Sequence, residues 1–283
     1  MSAGAAQKDA LPALFERTPV AAAKRQGPPR FVRTAACLII GDEVLNGKTL
    51  DTNSNRMAAL CFEYGIELRR VEVIPDDEPT IVEAAQRLSR AFDWVVTSGG
   101  IGPTPDDITY AALARAFGGE PLEHHAETVR RMDEGVRRRY GGGHVDEDVM
   151  RARRRMALFP RSAEVFFPTA EYWVPVVRVN GNVCILPGVP RIFDALLHAM
   201  IPYLELDPAQ PRPIRCLIHT PLPESALSPL LERLTAEGKR DGIRVGSYPK
   251  WDAGVHVSLI GSDSGVVDRY AAIVLAETSG ERL

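Results

Sequence analysis

The chain has 283 residues, of which 45% are hydrophobic and 25% are charged, and its formal net charge is -3. This is the composition of an average globular protein with one large or two ordinary domains. The near-neutral charge gives no reason to expect nucleic acid or an anionic membrane as a partner, and no apolar run reaches the length of a membrane span. The four cysteines are widely separated, which predicts buried thiols in a reducing compartment.

Residues 1–30 are rich in alanine, proline and basic side chains and show little periodicity, so they predict a disordered leader. Two acidic residues, Asp9 and Glu16, interrupt the basic ones, and serine is scarce. These features favour a loose tail on a cytoplasmic protein, with a mitochondrial transit peptide as the alternative interpretation.

Strands and helices alternate between residues 34 and 116. Apolar runs rich in β-forming residues predict buried strands, and apolar residues three and four positions apart predict helices. The order strand–helix–strand–helix–strand–loop–helix predicts a parallel sheet with helices on both faces. The predicted strands are Thr34–Ile40, 66–74 with Ile66, Leu68 and Val71 or Val73 facing inward, and Trp94–Val96; helices follow Asp51-Thr52, Glu78-Pro79 and Asp106-Asp107.

Acidic residues follow each of the three predicted strands, and the carboxyl ends of parallel strands share one edge of a sheet, where ligands bind. We therefore expect these side chains to be near neighbours. Any one of them could instead serve a turn or cap a helix, and the convergence of all three pairs favours a common site. The pairs are Asp42-Glu43, Asp76-Asp77 and Asp106-Asp107.

A glycine-rich segment, Ser98-Gly99-Gly100-Ile101-Gly102-Pro103, connects the third strand to its helix. It matches neither the dinucleotide fingerprint nor the P-loop. A strand–turn–helix junction of this kind can present backbone N–H groups to an anion. The alternative is a tight turn in which Asp106 or Asp107 only caps the helix, but two adjacent aspartates exceed that need. Carboxylates beside a phosphate indicate a divalent metal between them.

Two arginine-rich helices are predicted next, at His124–Tyr140 and Val145–Leu158, separated by three glycines. Their arginines could neutralise a diphosphate, but solvated helix faces are favoured because consecutive arginines point in different directions. His124 and His125 have no partner at metal-ligand spacing and are interpreted as capping or surface residues. The arginines are Arg137–Arg139, Arg151 and Arg153–Arg155.

A β-hairpin is predicted from the strands Tyr172–Asn180 and Asn182–Leu186, because Asn180-Gly181-Asn182 joins them. The second strand leads into Pro187-Gly188-Val189-Pro190, a second glycine turn, which either forms the opposite wall of a pocket or is only a turn. Pro190 begins a helix. A proline-rich linker at 207–213 then precedes a small α+β domain, residues 213–283, without a chemical motif.

These motifs resemble the molybdopterin-binding domain family, whose members include the MoaB and MogA proteins of molybdenum cofactor biosynthesis. The resemblance covers about Arg33 to Leu204 and is closest to the N-terminal part of CinA proteins and to the molybdopterin-binding-like domain of eukaryotic FAD synthases. It implies an α/β three-layer sandwich with a mostly parallel sheet at residues 31–206. The segments that carry it are 41–47, Asp51-Thr52-Asn53, Pro75-Asp76-Asp77, 97–109 and 186–190.

The resemblance also implies a function, namely metal-dependent cleavage of a dinucleotide diphosphate such as FAD or ADP-ribose, with Mg²⁺ or a similar ion. Adenylylation of molybdopterin and non-catalytic binding of molybdopterin or nucleotide are the alternatives. We expect a homo-oligomer with a small-molecule nucleotide or pterin ligand. The predicted roles are catalysis for Asp76 and Asp107, metal binding for Asp42, Glu43, Asp106 and Asp107, and substrate binding for Asn53, Ser98, Gly99, Gly100, Gly102, Thr104 and Gly188.

Overall fold

A computed structural model of the chain describes residues 15–23, 31–140, 146–251 and 253–283, with no side-chain description at 22, 23, 139 and 140. The chain divides into two compact units. The first extends to Pro208 except for Phe62–Gly65, and the second combines Phe62–Gly65 with Ala209–Leu283. The division falls within the predicted linker.

A six-stranded sheet forms the centre of the first unit, with the strand order β2-β1-β3-β8-β7-β6. The first four strands in this order run parallel, and β7 and β6 run antiparallel to their neighbours. The predicted mostly parallel sheet is thus confirmed. Its strands are β1 Thr34–Ile40, β2 Glu67–Ile74, β3 Trp94–Ser98, β6 Glu164–Phe166, β7 Val176–Val179 and β8 Val183–Leu186; β4 Leu122–His124 and β5 Leu158–Pro160 form a separate pair.

Helices cover both faces of this sheet. Successive residues of a strand point to opposite faces, and β1 is apolar and buried on both of them. Leu38 and Ile40 pack in one core with residues of α3 and α4. Cys37 lies on the other face, near Cys61 of α2. Burial raises the pKa of the Cys37 thiol most, and the nearby Asp51 and Cys61 side chains raise it further. The helices up to residue 208 are α1 Asp42–Leu45, α2 Asn53–Glu63, α3 Glu78–Ala91, α4 Thr109–Ala116, α5 Ala126–Tyr140, α6 Glu147–Arg155 and α7 Pro190–Ala199.

Several local predictions hold and several are wrong. All four cysteines are free and buried, as expected. Of the two alternatives in β2, Val71 is 43% exposed and Val73 is half-buried, because β2 lies at the edge of the sheet. The hairpin has Asn180 and Gly181 at positive φ, but its first strand begins only at Val176. The pair β4–β5 was not predicted, and it takes up Leu158, which was assigned to a helix.

Part of the predicted leader is folded against the first unit. The Thr18 N–H donates to the Phe167 carbonyl at 3.0 Å, and the Tyr203 hydroxyl donates to the Thr18 carbonyl at 2.5 Å. Val20–Ala23 forms a short 3-10 helix. The prediction of disorder is therefore wrong for residues 15–23, whereas residues 1–14 and 24–30 lie outside the described ranges.

The second unit contains a four-stranded antiparallel sheet of order β10-β11-β9-β12 with two helices packed on it. Its core includes Ile218, Leu234, Val257 and Tyr270. Across the described ranges of the whole chain, no helix is both long and apolar enough to cross a membrane. The elements are β9 Ile214–Thr220, α8 Glu224–Asp241, β10 Arg244–Pro249, β11 Val255–Gly261, α9 Ser264–Thr278 and β12 Glu281–Arg282.

Candidate active site

Four parallel strands deliver the predicted site residues to one edge of the sheet. In the register of these strands, Ile40 lies beside Ile74, Ile39 beside Ser98, and Ser98 beside Leu186. The segments that follow the strands, including both glycine turns, therefore begin side by side. Because the chain passes from β1 to β2 and then returns to β3 on the other side of β1, this edge is also a topological switch point, where α/β sheets bind ligands.

The bend at Gly99 and Gly100 accepts no other residue type. Both have positive φ, 108° and 63°. A Cβ atom on Gly99 would lie 2.1 Å from the Ile40 carbonyl oxygen, and one on Gly100 would lie 2.2 Å from Thr109 Oγ1. Thr109, the first residue of α4, fixes the bend by donating its N–H to the Gly100 carbonyl and its hydroxyl to the Gly99 carbonyl, both at 3.0 Å.

The backbone N–H groups of the bend differ in their availability to a ligand. The Gly99 N–H donates to the Leu186 carbonyl at 3.3 Å, so it continues the sheet and is not directed at an anion. Within the described ranges, the N–H groups of Gly100 and Gly102 have no hydrogen-bond acceptor. The predicted anion contact thus reduces to Gly100 and Gly102.

Asp76 lies directly beside the bend. Its Oδ1 is 3.2 Å from the position that a Cβ on Gly100 would take, and its Oδ2 accepts the Asp42 N–H at 3.0 Å. Burial raises the pKa of this carboxyl, the bond from Asp42 opposes the rise, and the carboxylates of Asp42, Glu43 and Asp106 add to it. Acidic residues from all three predicted strand ends therefore lie close enough to influence the pKa of Asp76.

Asp107 holds the loop that follows the bend. Its Oδ2 accepts both the N–H and the hydroxyl of Thr104, at 2.9 and 2.5 Å, and lies 2.6 Å from the position of a Cβ on Gly102. The Thr104 hydroxyl is therefore engaged within the loop. Neither aspartate caps α4, because the N-cap residue is Ile108 and no side chain bonds there. Asp106 is exposed.

Asn53 connects the two glycine turns. Its Nδ2 donates to Ser98 Oγ and to the Gly188 carbonyl, both at 2.9 Å. The two turns are in close contact, because a Cβ atom on Gly188 would lie 3.3 Å from the Gly99 Cα. Asn53 and Ser98 are both buried. These two predicted substrate ligands are thus positioned to hold the bend in place. Asp51 in turn accepts the N–H groups of Asn53 and Ser54 at the start of α2.

The two turns open into a cavity of about 380 Å³, here called the glycine pocket. Its lining includes polar groups of Glu43, Gly100, Gly102 and Asp107, and the apolar residues of the lining are here called the apolar wall. The apolar wall was not predicted, because its residues come from separate parts of the sequence and lack a motif. It consists of Ile101, Tyr110, Met156, Trp173, Val174, Pro187 and Val189.

The acidic residues fit a divalent cation that takes part of its coordination from a ligand. In the ranges that the structure describes, no three His, Cys, Asp or Glu side chains form a ready-made metal site. Mg²⁺ is usually held by one or two carboxylates together with waters and substrate phosphates. A carboxylate with a raised pKa among three others, next to unpaired N–H groups, is suited to that arrangement.

Comparisons with known proteins agree with this geometry. A family model described as "Probable molybdopterin binding domain" matches residues 36–206. A "Probable FAD synthase" of Caenorhabditis elegans is 34% identical over 77% of this chain and 44% of that protein, and a "CinA-like protein" of Anaeromyxobacter sp. is 31% identical over 84% and 57%. The chain thus spans about half the length of these relatives. The crystal structure of a CinA protein of unknown function from Thermoplasma acidophilum has a TM-score of 0.51 at 31% identity, covering 60% of this chain and 96% of its own.

Proposed function

Because the chain belongs to the molybdopterin-binding domain family, we propose that it is a metal-dependent nucleotide pyrophosphatase that cleaves a dinucleotide such as FAD or ADP-ribose at the diphosphate. The observation that carries this proposal is the position of Asp76 against the Gly100 bend. The bend offers N–H groups to an anion, and the surrounding carboxylates would repel the same anion. A diphosphate and a divalent cation together satisfy both.

In this proposal, the site residues bind the phosphate, position the bend or hold the cation. The Gly100 and Gly102 N–H groups bind one phosphate, and Asn53 keeps the bend against the Gly188 turn. Asp76 and Asp42, with Glu43 and Asp106, would hold the cation, and Asp107, whose Oδ2 is bonded to Thr104, would contribute its Oδ1. When bound, the cation neutralises the diphosphate and lowers the pKa of the attacking water.

The apolar wall gives the glycine pocket a place for a ring. Tyr110, Met156 and Trp173 offer aromatic and thioether surface next to the phosphate-binding turn, which suits a flavin, an adenine or a pterin. The name "Probable FAD synthase" of a relative supports a flavin nucleotide among these.

A hydrolysis screen tests the proposal directly. FAD, ADP-ribose, NAD and CoA are each incubated with the full chain and Mg²⁺, Mn²⁺, Co²⁺ or EDTA, and mononucleotide products are measured. We expect cleavage of at least one dinucleotide with a divalent ion and none with EDTA. Hydrolysis that persists in EDTA would reject the role given to the acidic residues.

Two other functions are tested by adding ATP with molybdopterin to the screen and by calorimetry. The family description favours a pterin ligand, so an adenylyltransferase would transfer AMP from ATP to molybdopterin and leave FAD intact. A non-catalytic module would bind nucleotide or pterin in calorimetry without turnover under any metal. The homo-oligomer and the cytoplasmic location stay predictions from the sequence.

A further inference from the structure

A second cavity in the first unit, of about 550 Å³, has a basic lining. Arg151, Arg154 and Arg155 of α6 line it, together with His124 at the end of β4, one acidic residue, Glu147, and the apolar Met150 and Leu158. The three arginines have the spacing i, i+3, i+4, which places them on one face of a helix. Arg153, in contrast, turns inward and has a buried Nη1 atom. We call the surface formed by Arg151, Arg154, Arg155 and His124 the arginine cleft.

The positive charges of the arginine cleft are only partly compensated. Arg151 pairs with Asp148 at 3.0 Å on the surface, and Arg154 approaches Asp133 at 3.7 Å. Within the described ranges Arg155 has no ion-pair partner. Exposed pairs of this kind contribute little, so their guanidinium groups can exchange to a ligand. The helix dipole alone could explain arginines in the last turn of α6. It does not explain why His124, which belongs to β4, lines the same concave surface.

The chemistry of this lining suits a phosphomonoester. Guanidinium groups bind phosphate oxygens in pairs, and several of them can surround one phosphate carrying two negative charges. A polynucleotide would need an extended basic surface, and the net charge of -3 gives no sign of one. A small phosphorylated molecule is the ligand that fits.

The arginine cleft adjoins the glycine pocket. Met156 lines the glycine pocket, and Arg155, the residue before it, lines the arginine cleft. The Cα atoms of consecutive residues are about 3.8 Å apart, so the end of α6 contributes one residue to the lining of each cavity. A ligand that extends past the end of α6 would place its diphosphate in the first and a further phosphate in the second.

We propose that the arginine cleft binds a ribose phosphate of the dinucleotide whose diphosphate occupies the glycine pocket. Adenine dinucleotides with a 2′- or 3′-phosphate are then preferred over the same compounds without it. This inference rests on the proposed pyrophosphatase function, of which it specifies the substrate class.

Two matched substrate pairs test the preference, namely NADP⁺ against NAD⁺ and CoA against dephospho-CoA, each differing by one phosphate. We expect the wild-type chain to cleave the phosphorylated member of at least one pair with a kcat/KM about 10-fold higher or more, the effect of one charge-assisted hydrogen bond. Arg155→Gln should bring that ratio close to 1 and leave kcat/KM for the unphosphorylated member unchanged. The control Arg161→Gln, an exposed arginine paired with Glu123 outside the cleft, should keep the ratio. Equal rates in the wild type, or a ratio that survives Arg155→Gln, would overturn the inference.

A binding measurement separates this inference from the proposed function. If no dinucleotide is cleaved, the proposed function fails, and calorimetry then compares adenosine 2′,5′-bisphosphate and adenosine 3′,5′-bisphosphate with adenosine 5′-monophosphate on the same proteins. Binding of either bisphosphate about 10-fold tighter in the wild type and in Arg161→Gln, but not in Arg155→Gln, supports the arginine cleft. Equal affinities for all three nucleotides reject it.

Discussion

Replacing Gly100 by alanine tests whether the exact backbone geometry of the bend is needed for stability and for hydrolysis. The new Cβ would lie 2.2 Å from Thr109 Oγ1 and 3.2 Å from Asp76 Oδ1. Thr109 is fully buried and cannot swing into solvent. Gly119→Ala is the matched control, because Gly119 has nearly the same φ, 69° against 63°. Nothing lies within 4 Å of the position that a Cβ atom on Gly119 would take.

Both substitutions lose stability through backbone strain, and only Gly100→Ala also loses stability through overpacking and a broken hydrogen bond. An alanine in the left-handed region costs about 1–2 kcal/mol at either position. At Gly100, overpacking adds about 1–3 kcal/mol, and loss of the Thr109 hydroxyl bond to Gly99 adds about 0.5–1.5 kcal/mol. We therefore expect Gly100→Ala to be destabilised by about 1.5–4.5 kcal/mol more than Gly119→Ala, which is a Tm about 3–18 °C lower.

Activity should separate the two variants further. A displacement of about 1 Å between the Gly100 N–H and Asp76 can reduce turnover about 100-fold, whereas Gly119→Ala should turn over substrate at the wild-type rate at a temperature where both are folded. Thermal unfolding and initial rates of dinucleotide hydrolysis measure the two effects. Equal Tm values and equal rates for the two variants would show that the bend tolerates a side chain and would refute the reasoning.

Further variants test the other roles. Asp76 has a raised pKa, so this carboxyl contributes stability below about pH 3.8 that is lost as the pH rises; Asp76→Asn should have a higher Tm than the wild type at pH 7 in EDTA and lose that advantage at low pH. Asp77→Asn should have a lower Tm at pH 7, because Thr80 hydrogen bonds lower the pKa of this α3 cap. Mg²⁺ should raise the Tm of the wild type and not that of Asp76→Asn. Asp107→Ala should abolish hydrolysis while circular dichroism stays native, and unchanged turnover would reject its role. Asn53→Ala should cost about 1–3 kcal/mol in unfolding experiments, since the buried Ser98 hydroxyl and the Gly188 carbonyl lose their donor.

Much of the fold could be predicted because β1, α2, α3 and β3 carry local signals that agree with their tertiary environment. The apolar run Thr34–Ile40 is buried along almost its whole length, and Asp51 provides the predicted start of α2. Strands β4 and β5 have three residues each, too few for an alternation to be recognised. The docking of Thr18 onto Phe167 joins residues 149 positions apart, and no local pattern encodes it.

The site could be predicted where it follows from topology. Parallel strands share an edge, so the acidic residues after β1, β2 and β3 had to converge. Which polar atoms remain free for a ligand could not be predicted, because that depends on contacts formed in three dimensions. Thr104 has its hydroxyl on Asp107, Ser98 accepts from Asn53, and the Gly99 N–H continues the sheet. None of these contacts follows from the glycine motif alone.

Adjacent aspartates after β2 show how structural and functional acids differ physically. Asp77 accepts two hydrogen bonds from Thr80 at the start of α3, which lower its pKa and make its charge stabilising. Asp76, the residue before it, is held in a half-buried place among other carboxylates, where its pKa is raised and its charge opposes folding. A fold that needed only a helix cap would be more stable with a neutral residue at Asp76. Because a bound cation reverses the sign of this cost, the presence of the charge beside the Gly100 bend is itself an argument for a cation and an anionic ligand there.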